Sequence, residues 1–204
     1  MAGIGVRLNR IFEKNTLTTN LVGFFYSTVV TVAPMFVIII NLILMEYLLD
    51  FASVGYVTRE LFSCTILYTF IFSLLTASPF NAVLSRYMSD VIYEERYQDI
   101  LPCYHIGMLL NIGLSCLLGI PFCLWEHFVG KVPTAYVFCG FCGYISLVLV
   151  FYSMIYLSIC KDYQRISQYF FFGMLVAFVL ALILHFILKW ETTWSMLFSL
   201  TIGF

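Results

Sequence analysis

In a chain this apolar, chemistry has to be sought among the few residues that do not suit lipid. Hydrophobic residues make up 62% of the 204 residues and charged residues only 10%, with a mean hydropathy of +0.99. Ionisable groups inside apolar runs are costly and usually face a cavity. Asn41, Glu46 and Asp50 occupy the second half and the end of the first apolar run. Glu60 stands at the start of the second, His105 and Asn111 lie in the third, and His185 lies near the end of the fifth. A carboxylate in such a place can bind or relay a cation, and an asparagine amide can hold a hydroxylated ligand. The blander reading places Glu46 and Asp50 at the headgroup interface, uses the asparagines as bonds between helices, and leaves the histidines to packing. Pro34 falls near the midpoint of the first run, Pro79 in the inner part of the second and Pro121 near the outer end of the third. Each deprives a helix of a hydrogen bond. Broken helices near the midplane are a recurrent device for substrate cavities and conformational change in transporters.

Other chemistries find little support. G-x-S-x-G, H-E-x-x-H, a Walker loop and a paired-carboxylate aspartyl motif are all missing from the sequence, so no catalytic residues are assigned. No cofactor is implied. Cys139-Gly-Phe-Cys142 has C-x-x-C spacing but sits inside an apolar run, where small packing residues are the simpler reading of all seven cysteines. The net charge of −1 gives no case for nucleic acid. The most polar stretch, residues 85–99, carries Arg86, Asp90, Glu94, Glu95, Arg96 and Asp99. Asp90 and Glu94, four apart, share a helix face. The stretch reads as a helical continuation of the second run beyond the membrane. No glycine is present to turn it into a hard-cation loop, so no metal site is expected there.

The elements that carry these residues are helices. About 20 mostly apolar residues cross a bilayer, and the chain offers such runs at 21–49, 61–84, 101–124, 134–159 and 168–188, with a sixth begun at 192–204. Stretches such as Val37-Ile38-Ile39-Ile40 do not alternate as barrel strands do. The fold class is therefore all-α, a polytopic transmembrane bundle of about six helices. The first run is too long for a signal-peptide core. Residues 1–16 form a separate element, in which Ile4, Leu8, Ile11 and Phe12 repeat at helical spacing opposite Arg7, Arg10, Glu13 and Lys14. That pattern predicts an amphipathic helix on the cytoplasmic surface, serving as an anchor or as a gate or docking helix. Lysine and arginine set the orientation. Arg7, Arg10, Lys14, Arg86, Arg96, Lys161 and Arg165 fall on the N-terminal side, and Arg59, Lys131 and Lys189 on the other. Seven against three places the N-terminus in the cytoplasm, with Trp125, Trp190 and Trp194 at the outer interface.

Two stretches are distinctive: the opening Met1-Ala2-Gly3-Ile4-Gly5 with the amphipathic stretch after it and, more specifically, Ser78-Pro79-Phe80-Asn81-Ala82-Val83-Leu84-Ser85-Arg86-Tyr87-Met88-Ser89-Asp90-Val91-Ile92-Tyr93-Glu94-Glu95. Both resemble the PelG family of exopolysaccharide membrane transporters. The resemblance implies the multidrug/oligosaccharidyl-lipid/polysaccharide exporter fold, of which this chain is expected to be the N-terminal bundle, cut inside its sixth helix. It further implies transport of a partly cationic amino-sugar polymer across the bacterial cytoplasmic membrane for a biofilm matrix. The implied partners are a cytoplasmic glycosyltransferase, a cyclic-di-GMP-receptor membrane protein, other membrane subunits of the same complex and membrane lipids.

A path for a polycation needs acceptors and negative potential. Glu46, Asp50 and Glu60 are the expected outer-mouth carboxylates, and Asn41 and Asn111 the expected partners of sugar hydroxyls. Pro34, Pro79 and Pro121 are the gating candidates. Arg86, Asp90, Glu94 and Glu95 are candidates for the cytoplasmic mouth or for docking the synthase. The alternatives are a lipid-linked oligosaccharide flippase or cation-coupled drug exporter of the same superfamily, and a non-transporting scaffold for a glycosyltransferase.

Overall fold

The computed structural model describes residues 36–159 and 163–204. Pro34, the amphipathic stretch 1–16, the first part of the first apolar run and Lys161 lie outside them. Six helices follow one another, and no strand occurs among the described residues. They are α1 (Phe36–Leu48), α2 (Tyr56–Tyr93), α3 (Ile100–Phe128), α4 (Thr134–Ile159), α5 (Tyr163–Phe186) and α6 (Thr192–Gly203). Four of them, α2 to α5, are long and apolar enough to cross a membrane. The chain is an all-helical membrane bundle. Helices are the form that apolar surroundings allow, because each backbone donor finds its acceptor within its own segment.

Helix α2 has 38 residues, a length of about 57 Å at 1.5 Å per residue. The hydrocarbon layer takes up only about 30 Å of that. The surplus is the continuation of the second run, helical through Tyr93 and closed at Glu94, whose amide bonds to Asp90 O at 3.0 Å. Four connections turn through a left-handed residue that is not glycine: Asp50, Glu95, Lys131 and Lys189, with φ between 48° and 59°. After α3, Val132 N donates to Glu126 O across Lys131 at 3.4 Å, which satisfies a terminal carbonyl in the manner of a Schellman cap.

Helix α4 is the hub and packs against α2, α3, α5 and α6. Residues at i, i+4 intervals form the ridges through which helices interlock, and three such rows organise the bundle. On α4 the row is Tyr136, Gly140, Tyr144, Val148, Tyr152 and Tyr156, turned toward α2 and α3. On α3 it is Cys103, Gly107, Asn111, Ser115, Gly119 and Cys123, all small or short. Gly107 lies under the Tyr152 hydroxyl, and Gly119 under the Phe141 and Tyr144 rings. On α5 it is Gly173, Ala177 and Ala181, where α6 crosses backbone to backbone. A Cβ added at Gly203 would lie 2.6 Å from Ala177 Cβ and 2.8 Å from Gly173 O. Lipid tails are as apolar as leucine, so close backbone approach and packing hold membrane helices together.

The main apolar cluster lies at the end of the bundle where α1 finishes and α2, α4 and α6 begin. It joins Met45, Leu49, Phe62, Ala177, Met196 and Leu200. Two smaller clusters continue along α4, one at Ala77, Tyr144 and Val148 and one at Leu84, Met88 and Tyr152.

The crossing of α5 and α6 generates a prediction. Gly173→Leu places a side chain where the Gly203 carbonyl stands, and overpacking of this kind costs about 1–3 kcal/mol. The full-length protein purified in detergent should melt at a clearly lower temperature. Leucine at the exposed neighbour Phe172, on the same helix, should leave the melting temperature nearly unchanged.

Candidate functional site

The residues that stand out in the sequence do not converge on one point. Asn41 is 8% exposed, and its Nδ2 donates to the Met174 carbonyl of α5 at 2.6 Å. Asn111 is fully buried on the row of α3 that faces α4. Neither atom of its amide has a partner among the described residues. The two asparagines thus belong to separate interfaces. Glu46, Asp50 and Glu60 are exposed. They flank the segment in which Phe51 and Phe62 stack edge to face, with ring centroids 5.3 Å apart.

At the opposite end of α2, Arg86, Asp90, Glu94 and Glu95 are all exposed. Arg96 pairs with Glu94 and with Asp99, the latter at 3.5 Å. Pro79 and Pro121 lie inside α2 and α3, and each helix runs on through its proline. His105 is exposed and stands edge to face against Tyr104. His185 is half-buried, stands edge to face against Phe186, and its Nδ1 has no partner among the described residues.

A feature that did not stand out in the sequence is a crevice of about 220 Å³ between α2, α3 and α4. Aromatic rings reach it from all three helices: Tyr68 and Phe72 from α2, Phe122 from α3, and Tyr136, Phe141 and Tyr144 from α4. Phe72 and Phe122 meet with centroids 5.7 Å apart. Polar atoms enter from Thr65 and Thr69, and one carboxylate, Glu126, comes from the last turn of α3. Gly119 and Gly140 let the three helices approach without filling the space.

Below the crevice, Thr76 Oγ1 and Tyr144 OH share a buried hydrogen bond of 2.8 Å between α2 and α4. Further down, Tyr152 OH donates to Tyr104 O at 3.1 Å, and Tyr104 OH and Ser153 Oγ lie 2.8 Å apart. The arrangement is a ladder of tyrosine hydroxyls inside an apolar bundle, with a partly open aromatic chamber at its top. The signal for it was present in the sequence as the i, i+4 row of α4, but a row of tyrosines reads equally as core.

The family described as "PelG: Putative exopolysaccharide Exporter (EPS-E)" matches residues 1–204, the whole chain. No curated protein and no solved structure matches.

The Thr76–Tyr144 bond can be measured directly. Thr76→Val and Tyr144→Phe should each lower stability by about 1 kcal/mol. In the double variant the losses should fall short of additive by about 0.6 kcal/mol, the average for hydrogen bonds between membrane helices. Equilibrium unfolding of the full-length protein in mixed micelles provides the cycle.

Proposed function

We propose, for a chain that belongs to the PelG family of exopolysaccharide exporters, that it forms part of the membrane conduit for a partly cationic amino-sugar polymer. The observation that carries this reading is the match of that family over the whole chain, together with four helices of membrane-crossing length. The protein is a multi-pass membrane protein of an exporter family. Its proposed setting is the bacterial cytoplasmic membrane, with the N-terminus inside. Its proposed product is Pel-type polysaccharide for a biofilm matrix, made by a cytoplasmic glycosyltransferase that a cyclic-di-GMP-receptor membrane protein and companion subunits hold against the channel.

Each end of the bundle has a part in this reading. The projecting end of α2 supplies the cytoplasmic mouth, and its exposed Arg86, Asp90, Glu94 and Glu95 supply a hydrophilic face for the synthase. The other end offers Glu46, Asp50 and Glu60, also exposed, as a negative mouth through which a polycation leaves. Fixed carboxylates at a pore entrance raise the local concentration of cations and lower the barrier to their passage. Asn41 has a different place in this scheme. Its Nδ2 bond to Met174 O ties α1 to α5, and its Oδ1, buried with no partner among the described residues, is the atom left to accept from a sugar hydroxyl.

Deletion of the full-length gene, with the synthase level held constant, should abolish secreted amino-sugar polymer and leave it accumulated in the cytoplasm or stalled on the synthase. Unchanged secretion would rule the conduit out. The combined variant Glu46→Gln, Asp50→Asn and Glu60→Gln should cut secretion severalfold at an unchanged protein level. Asn41→Leu should instead lower the amount of folded protein, as measured by immunoblot of the membrane fraction.

A further inference from the structure

We propose that the crevice between α2, α3 and α4 binds a single organic ammonium group, with Glu126 as its counter-charge and the surrounding aromatic rings as its walls. Three observations converge on this. First, Glu126 is half-buried and lines the crevice. Among the described residues arginine ion pairs form only at Arg96, at the far end of α2, and no lysine or arginine pairs with Glu126. Its neighbour His127 turns its ring toward Val132 O and Thr134 Oγ1, at 3.3 and 3.4 Å, and Lys131 in the adjoining loop is exposed. A carboxylate at the edge of an apolar chamber, without a cation of its own, attracts one from outside.

Second, the walls are aromatic on all three helices: Tyr68, Phe72, Phe122, Tyr136, Phe141 and Tyr144. Ring faces carry negative electrostatic potential and hold ammonium groups, best where water is kept out. A bare metal ion would be poorly served. Hard cations want six or more oxygens, and no cluster of three metal-binding side chains occurs among the described residues. The donor set selects a cation that is itself partly apolar.

Third, the volume of about 220 Å³ is below the roughly 300–1,000 Å³ of sites that enclose a drug-sized ligand. The crevice suits one small ring or one amine-bearing residue at a time. Thr65 and Thr69 add hydroxyls that can meet hydroxyls of such a ring. Resting on the export reading, the natural occupant is one amine-bearing sugar residue of the polymer, held where α2, α3 and α4 meet. The ammonium recognition itself depends only on the crevice.

The test uses the full-length protein in lipid nanodiscs, titrated calorimetrically with glucosamine below neutral pH, where its amine is protonated, and with N-acetylglucosamine, which is neutral. Glucosamine should bind about tenfold more tightly than the acetylated sugar. Glu126→Gln, nearly the same shape, should erase that preference while leaving the weaker N-acetylglucosamine binding as it was. Phe122→Leu, which keeps apolar bulk without a ring, should weaken glucosamine severalfold.

Equal affinity for the two sugars in the parent protein, no binding of either, or a preference that survives Glu126→Gln would overturn the proposal. So would displacement of glucosamine by a neutral alkyl maltoside in the parent and the Glu126→Gln variant alike, which would mark the crevice as an acyl-chain site. The outcomes separate from those for export. Lost secretion on gene deletion with no ammonium preference refutes the crevice and spares the conduit. Ammonium preference with unchanged secretion does the opposite.

Discussion

The bundle depends on how closely α4 approaches the helices around it. In water, burial of apolar surface would drive that approach. In lipid it yields little, so contact must come from shape and from hydrogen bonds between helices. The chain meets this requirement by setting large residues on one helix against small ones on the next. Tyrosines of the α4 row lie over Gly107 and Gly119 of α3, and on its other side Gly143 and Cys139 lie against Thr201 of α6. The crossing of α5 and α6 follows the same rule without large partners, with Gly173 and Gly203 backbone to backbone. These fits fix where α2 and α3 stand relative to α4, and hence the width of the chamber between them.

Polar groups inside the bundle divide by what they bond to. Thr76 with Tyr144 and Tyr152 with Tyr104 bond across helix interfaces, and Asn41 does so through its Nδ2, to Met174 O. Ser73, Ser115 and Ser199 return their hydroxyls to their own helix, at Phe70 O, Asn111 O and Met196 O. That local bond removes a polar atom from lipid without help from a neighbour. Other buried polar atoms belong to neither class: both amide atoms of Asn111, Asn41 Oδ1, Asn81 Oδ1, His185 Nδ1 and Ser195 Oγ have no partner among the described residues. Asn111 and Glu126 are both on α3, on the side that faces α4 or the crevice.

The two prolines bear on the same point. Pro79 and Pro121 are exposed on helices that continue through them. Apolar surroundings penalise a broken helix because freed carbonyls have no water to turn to. A proline kept in an intact membrane helix therefore marks a place where the helix can bend at lower cost than elsewhere. Pro121 is immediately followed by Phe122 of the crevice wall, so a bend there would alter the chamber directly.

The class of the protein can be read from its amino-acid order alone. The lengths of its apolar runs, the missing alternation and the scarcity of charge leave only a helical membrane bundle, because hydrocarbon admits few backbone forms. The helical extension of α2 was legible too, since its polar residues keep helical spacing beyond the membrane limit, and so was membership of an exporter family, through the stretch 78–95. The site was far less legible. Asn41, Glu46 and Asn111 stood out because they are polar in apolar runs, yet polarity does not say whether a residue faces a neighbour, a cavity or the surface. Asn41 is committed to a carbonyl on α5, 133 positions away in the chain. Glu126 drew no notice because it sits at a helix end, where a carboxylate is ordinary. Only the packing of α2, α3 and α4 brings it to an aromatic chamber, since every ring in that wall could equally have faced lipid. In a membrane the outside is as apolar as the core, so hydrophobicity no longer tells the two faces of a helix apart. Tertiary contact decides.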